Sequence, residues 1–181
     1  RIKQDDLQHM ADAGLNRIHV GMETGSDTIL KKIKKGITKA GHIKAGLKVK
    51  QAGMELSEYV MPGLGGIEYS IEHALETASA LNSINPDFIR IRTLAVTDGT
   101  ILAEEAEKGE FEKPTDAMMA KELRLFLESL DGIDSYIKSD HILNLFETIN
   151  GKFPEDKEKL IGIIDGFFNL DPEKRVLYQI G

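Results

Sequence analysis

The stretch LNRIHVGMETGSD, residues 15–27, decides the fold. Side chains of a strand alternate between two faces. Ile18, Val20 and Met22 therefore share one face, while Arg17, His19, Gly21 and Glu23 share the other. A parallel strand buried on both sides would be apolar on both, so one side of this strand must meet something polar. Upstream, RIKQDDLQHMADAG carries Leu7, Met10 and Ala13 at helical spacing and stops at Gly14, a residue suited to a left-handed helix end. Downstream, Ser26 or Asp27 can cap a new helix.

The same unit returns twice. ITKAGHIKAGLKVKQAG is helical by pattern, ends at Gly53 and leads into MELSEYVM; Ile71, Ala74, Ala78 and Leu81 then form a helical face that breaks at NSINPD before FIRIRTLAV. Strands alternating with helices at similar intervals imply right-handed crossovers and a parallel sheet. In the last strand Phe88, Arg90 and Arg92 oppose Ile89 and Ile91. In the middle one Ser57, Tyr59 and Met61 oppose Leu56, Glu58 and Val60, so Glu58 interrupts an otherwise apolar face. The fold class expected is α/β: parallel β/α units of a partial, TIM-like barrel, with helices outside and the Arg, His and Glu set lining the lumen. Such barrels carry their functional groups at the carboxyl ends of the strands, where Glu23, Arg92 and the MPGLGG turn fall.

Residues 1–107 hold these units, and residues 108–181 are expected to be a mostly helical extension packed on them. Met118, Leu123, Phe126, Leu127 and Leu130 give it one apolar stripe, and DHILNLFETI and EDKEKLIGIIDGFF read as further helices, with DSYIKS a short extended piece.

Composition narrows the chemistry. The chain has 181 residues, 41% hydrophobic and 29% charged, enough for one globular core. A formal net charge of -7 gives no general attraction for nucleic acid or anionic lipid, and no apolar run reaches the roughly 20 residues of a membrane helix. Neither membrane nor nucleic acid is therefore a favoured partner, and a cytoplasmic address is the default expectation. Cysteine is absent, which excludes disulfides, thiolate zinc sites and cysteine-held iron–sulfur clusters from this polypeptide. The chain opens at Arg1 inside a helical pattern, as expected of a piece of something longer.

Taken singly, none of the motifs decides the chemistry. Glu23 can accept from ligand hydroxyls or an ammonium group, or pair with Arg17 or Arg90. Arg90 and Arg92 can fork onto a carboxylate or phosphate, or join an internal ion-pair network. Lys35 in KKIKKG can be a solvated helix face, and His141 has no partner at metal-ligand spacing.

Together, AGLNRIHVGMETGSDTILKKIKKGIT, AGMELSEYVMPGLGG and INPDFIRIRTLAVTDGTIL resemble the second half of the radical S-adenosylmethionine (radical SAM) core, in the broad Elp-three-like group that includes methylthiotransferases and anaerobic coproporphyrinogen oxidases. The resemblance implies a six-unit partial barrel that holds SAM against a [4Fe–4S] cluster. It implies that Glu23 contacts the ribose or methionyl part of SAM with Ser26 nearby, and that Lys35 faces the methionyl carboxylate. Ser57 and Tyr59 lie on the strand that supplies a ribose contact, Leu94 and Ala95 border adenine, and Arg92 is a lumen residue close to SAM or substrate. The CxxxCxxC cluster motif of the family is missing. The leading expectation is thus a fragment of a radical SAM iron–sulfur oxidoreductase that holds part of the SAM site, is inactive alone, and lacks the partner half of its barrel. No metal or cofactor is expected to be held by this chain by itself, its substrate is unknown, and its open surface is expected to favour self-association. Two alternatives are a cysteine-free binding protein derived from such a barrel, and an unrelated β/α enzyme that binds a phosphorylated metabolite through Arg90, Arg92 and the glycine turn.

Overall fold

A computed structural model describes residues 2–171 and Arg175. The elements run α1 (Gln4–Asp12), β1 (Arg17–Glu23), α2 (Asp27–Lys32), α3 (Lys39–Gln51), β2 (Glu55–Val60), α4 (Ser70–Ile84), β3 (Phe88–Ile91), α5 (Ile101–Glu107), α6 (Asp116–Ser129), β4 (Tyr136–Lys138), β5 (Asn150–Lys152) and α7 (Lys157–Phe168). Local chemistry sets most helix starts: the hydroxyls of Ser26, Thr38, Thr100 and Thr115 accept from the N–H groups of Ile29, Gly41, Ala103 and Met118. Helix ends follow the glycines: Gly14 and Gly53 sit at φ +97° and +79°, where the chain turns from α1 and α3 into strands.

The strands lie side by side in chain order, parallel from β1 to β4, with β5 antiparallel at the far edge. The sheet stays open. In register, Val20, Glu58, Ile89 and Ile137 form one row and Gly21, Tyr59, Arg90 and Lys138 the next. Successive rows point to opposite sides, so the two strand faces expected from the sequence are realised across the sheet. Met22, Leu56, Val60, Ile89, Ile91 and Ile137 are buried on the convex side in a core that also takes Ala78 and Leu81 from α4, Leu123 and Leu127 from α6 and Leu160 and Ile164 from α7. That single cluster draws on residues before and after 107.

Two segments differ from their sequence pattern. Ile71 shares a stripe with Ala74, Ala78 and Leu81, yet it is 68% exposed while the other three are fully buried. DHILNLFETI is not a helix but a run of turns. Asn144 explains this: its amide donates to the Ile91 carbonyl and to Ser139 Oγ, and its carbonyl accepts from Thr93 N–H. These side-chain bonds to the backbone beyond β3 replace helical ones. Leu145, Phe146 and Ile149 enter the core from the turns, leaving Ile142 and Leu143 exposed. DSYIKS, by contrast, contains β4 as an extended piece should.

Gly25 marks the closest approach of the β1–α2 loop to α4. Its N–H donates to Thr77 Oγ1, and a Cβ there would lie 2.3 Å from the Glu76 carbonyl oxygen and 2.8 Å from Thr77 Cα. Backbone atoms in a helix cannot swing aside. Gly25→Ala is therefore expected to lower unfolding stability by roughly 2–3 kcal/mol; an unchanged urea midpoint would show that loop and helix do not meet this closely.

Candidate functional site

At the carboxyl end of β1 the ladder slips: Gly21 pairs with Tyr59, but Glu23 pairs with Val60, leaving Met22 as the extra residue of a bulge. Glu23 itself sits at φ +64°, a conformation that is costly for a side chain with a Cβ. The bulge turns its carboxylate back over Gly21, where a Cβ would meet Glu23 Oε1 at 2.3 Å. A side chain there would push the carboxylate and Lys35 Nζ aside. Lys35 reaches the same spot from the turn after α2 and pairs with Glu23 Oε1 at 3.2 Å, with the two side chains 32% and 21% exposed. The partner of Glu23 is therefore Lys35, while Arg17 pairs with Glu55.

A buried network holds the backbone beneath this pair. The Glu23 carbonyl accepts from Met61 N–H and lies 3.2 Å from His73 Nε2. His73 Nδ1 lies 3.3 Å from Glu122 Oε1, which accepts from Gly63 N–H, and Ser70 Oγ donates to the other Glu122 oxygen. Burial lowers the His73 pKa to about 4, against the opposing effect of the Glu23 carbonyl, and raises that of Glu122 to about 7 despite the Ser70 and Gly63 bonds. The neutral pair is the state these shifts favour: Nε2–H faces the Glu23 carbonyl and the Glu122 carboxyl keeps its proton. Sequence reasoning missed this network because Glu122 and Gly63 are 59 residues apart.

A cavity of about 500 Å³ is lined by Ile33, Met61, Leu64, Leu94, Ala95 and Phe111 among others, with Lys34, the chain neighbour of Lys35, and Glu105 in its wall. That size accommodates a nucleoside-sized ligand. Leu94 and Ala95 are thus on a cavity wall, and Met61 joins the cavity to Glu23 through the backbone bond.

The concave face continues below. Tyr59 is flanked by the Arg92 guanidinium, 5.0 Å from its ring centre, and by His19 at 5.9 Å. Arg90 Nη1 donates to both oxygens of Asp140, at 3.2 and 3.0 Å, and Arg92 Nη1 contacts one of them at 3.4 Å. Burial tends to raise the Asp140 pKa, but Arg90 and then Arg92 outweigh it and hold the carboxyl below its ordinary value. Ser57 is fully buried, with its hydroxyl unpartnered among the described residues. Ser26 is also fully buried; it caps α2 and donates to Glu72 at 2.6 Å. The site residues named from the sequence therefore fall into an ion pair (Glu23, Lys35), a cation–ring pair (Arg92, Tyr59), a cavity wall (Leu94, Ala95) and two buried hydroxyls (Ser26, Ser57). Among the described residues no group of three or more His, Asp or Glu could hold a metal ion.

Glu58 lies on the convex side, in register with Val20 and Ile89, and its Oε2 has no hydrogen bond among the described residues. Burial, then the charge of Glu23, pushes its pKa up to about 8.

The chain is similar to known proteins. The family model described as "Radical SAM superfamily" matches residues 1–78. Two curated archaeal proteins, each named tRNA uridine(34) acetyltransferase, from Methanocaldococcus jannaschii and Methanocaldococcus infernus, are both 28% identical over 128 residues. Those alignments cover 70% of this chain but only 24% of the relatives, so the chain spans about a quarter of their length. Among solved structures, Methanocaldococcus infernus Elp3 lacking residues 1–46 matches 91% of this chain and 39% of its own, with a TM-score of 0.64 and 22% identity. Methylornithine synthase (PylB) matches 99% of this chain and 58% of its own, with a TM-score of 0.52 and 17% identity. At these identities the two structures establish a shared fold.

The buried carboxyls make stability depend on pH. Glu58 and Glu122 have raised folded-state pKa values, so they contribute stability at low pH that is lost as pH rises through about 8 and about 7. His73 has a lowered one and acts oppositely, but only below its ordinary value of 6.5. Between pH 6.5 and 8 the carboxyls act without that opposition. Stability should fall across this window by on the order of 1–2 kcal/mol, and Glu58→Gln should remove much of the fall; urea melts at both pH values test this, and equal slopes in wild type and variant would refute the role of Glu58.

Proposed function

We propose, from the match of residues 1–78 to the radical SAM family model, that the chain forms one half of a SAM-binding barrel within a longer iron–sulfur enzyme. The observation that carries the reading is the Glu23–Lys35 pair at the end of β1, lying over Gly21, with the Glu23 carbonyl bonded to Met61, a wall residue of the cavity of Leu94 and Ala95. SAM is a zwitterion at its methionyl end and apolar at its base. Lys35 suits the carboxylate, Glu23 the ammonium or the ribose hydroxyls, and the cavity the adenine. Binding would exchange an internal ion pair for two pairs with the ligand, so little charge is left unpaired in either state.

The residues present do not fit the second cofactor. A [4Fe–4S] cluster needs thiolate ligands, and the chain has no cysteine. Reductive cleavage of SAM is accordingly assigned to the whole protein, with the cluster on residues outside this chain. The part played here is positioning: Glu23 and Lys35 orient SAM, and the cavity wall excludes water from one side of it. The chain alone is then a binder without turnover. The tRNA in the relatives' names is not carried over, because the net charge of -7 provides no general pull on a polyanion.

Calorimetric titration of the chain with SAM tests the reading. Lys35→Ala and Glu23→Gln should each weaken binding roughly tenfold, with Arg17→Ala as a control without effect. Absence of SAM binding, or binding indifferent to both variants, would end it.

A further inference from the structure

We propose that the concave face of β2, β3 and β4 carries an oxyanion site for a phosphate monoester, distinct from the Glu23–Lys35 pair, and that Asp140 occupies it as an internal ligand. The placement comes from register. Ile89, Ile91 and Ile137 point into the core, so Arg90, Arg92 and Lys138 point to the open side, where Tyr59 and Arg90 share a row with Lys138.

Charge on this patch is unbalanced. Arg17 is offset by Glu55 and Lys35 by Glu23, but Arg90 and Arg92 share a single carboxylate and Lys138 has no ion pair among the described residues. Three positive groups against one carboxylate leave two charges over. Arg90 and Arg92 side chains are only 20% and 24% exposed, so water does not fully compensate them. Arg90 Nε is buried and has no acceptor among the described residues.

The deficit matches a phosphate monoester, which carries about -1.5 to -2 charges near neutral pH and offers three acceptor oxygens. Two guanidiniums on one oxyanion form a geometry that arginine favours. Asp140, with its side chain 43% exposed and on the irregular segment after β4, imitates that ligand and can swing off to solvent when a stronger anion arrives. The site would select a phosphorylated substrate in the barrel interior while SAM binds at the rim. In taking the concave face as that interior, the inference rests on the reading above.

The test is calorimetric titration of the chain with phenyl phosphate and phenyl sulfate at pH 8 and constant ionic strength. The pair differs chiefly in charge. Phenyl phosphate should saturate one site and bind roughly tenfold more tightly than the sulfate; Arg92→Ala and Arg90→Lys should each weaken it roughly tenfold. Asp140→Asn, an exposed change that leaves the core alone, should tighten it several-fold by removing the internal competitor. Absence of saturable binding, phosphate no better than sulfate, or Asp140→Asn without effect would overturn the proposal. So would binding of a single-stranded RNA oligonucleotide without any of phenyl phosphate, which would assign the cations to a polyanion. SAM titrated into the same samples separates the two readings: loss of SAM binding in Glu23→Gln with phosphate binding intact supports both, SAM without phosphate sinks only this one, and phosphate without SAM sinks only the first.

Discussion

The carboxyl of Glu122, buried between α6 and α4, is the interaction on which the site end of this fold depends. It accepts from the Gly63 amide and the Ser70 hydroxyl and faces His73, whose other nitrogen meets the Glu23 carbonyl. A buried carboxyl stripped of such partners would cost several kcal/mol. With them it ties the bulged end of β1, the glycine turn after β2 and the first turn of α4 to a helix that begins at Asp116. The left-handed backbone at Glu23 persists because its surroundings over-determine it.

That anchoring gives the two sides of the sheet different work. The strand residues of the convex side are close to fully apolar, and Glu58 of β2 among them is kept in the protonated state by burial. The concave side keeps its charges because they are paired, half-solvated or both: Lys35 with Glu23, Arg17 with Glu55, Arg90 and Arg92 with Asp140. The apolar cavity adjoins the paired charges at the strand ends through Met61. A ligand that spans both must itself be polar at one end and apolar at the other.

Much of this was legible along the chain. Two-residue alternation in RIHVGME and FIRIR predicted which side chains face the helices, and Ala-Gly pairs predicted where helices yield to strands; both follow from local backbone geometry. Glu23 and Lys35 stood out through resemblance to a family, and Leu94 and Ala95 with them. The partner of Glu23 was not legible, since Arg17, Arg90 and Lys35 all offered the right charge. Nor was Asn144, whose pattern DHILNLFETI has enough apolar residues for a helix but whose amide finds better bonds at the end of β3.

The sequence by itself determined the class of fold, the order of its units, the polarity of each strand face and the absence of any thiolate ligand. Those properties are periodic or compositional, and they survive without knowledge of distant neighbours. Only the tertiary structure decided that Glu122 reaches Gly63, that Asp140 answers Arg90 and Arg92, and that β4 and β5 extend the sheet beyond β3. Each depends on residues brought together across long separations in the chain, where a short polar side chain has no period to announce it. Their energies are set by burial, and burial is a property of the folded whole.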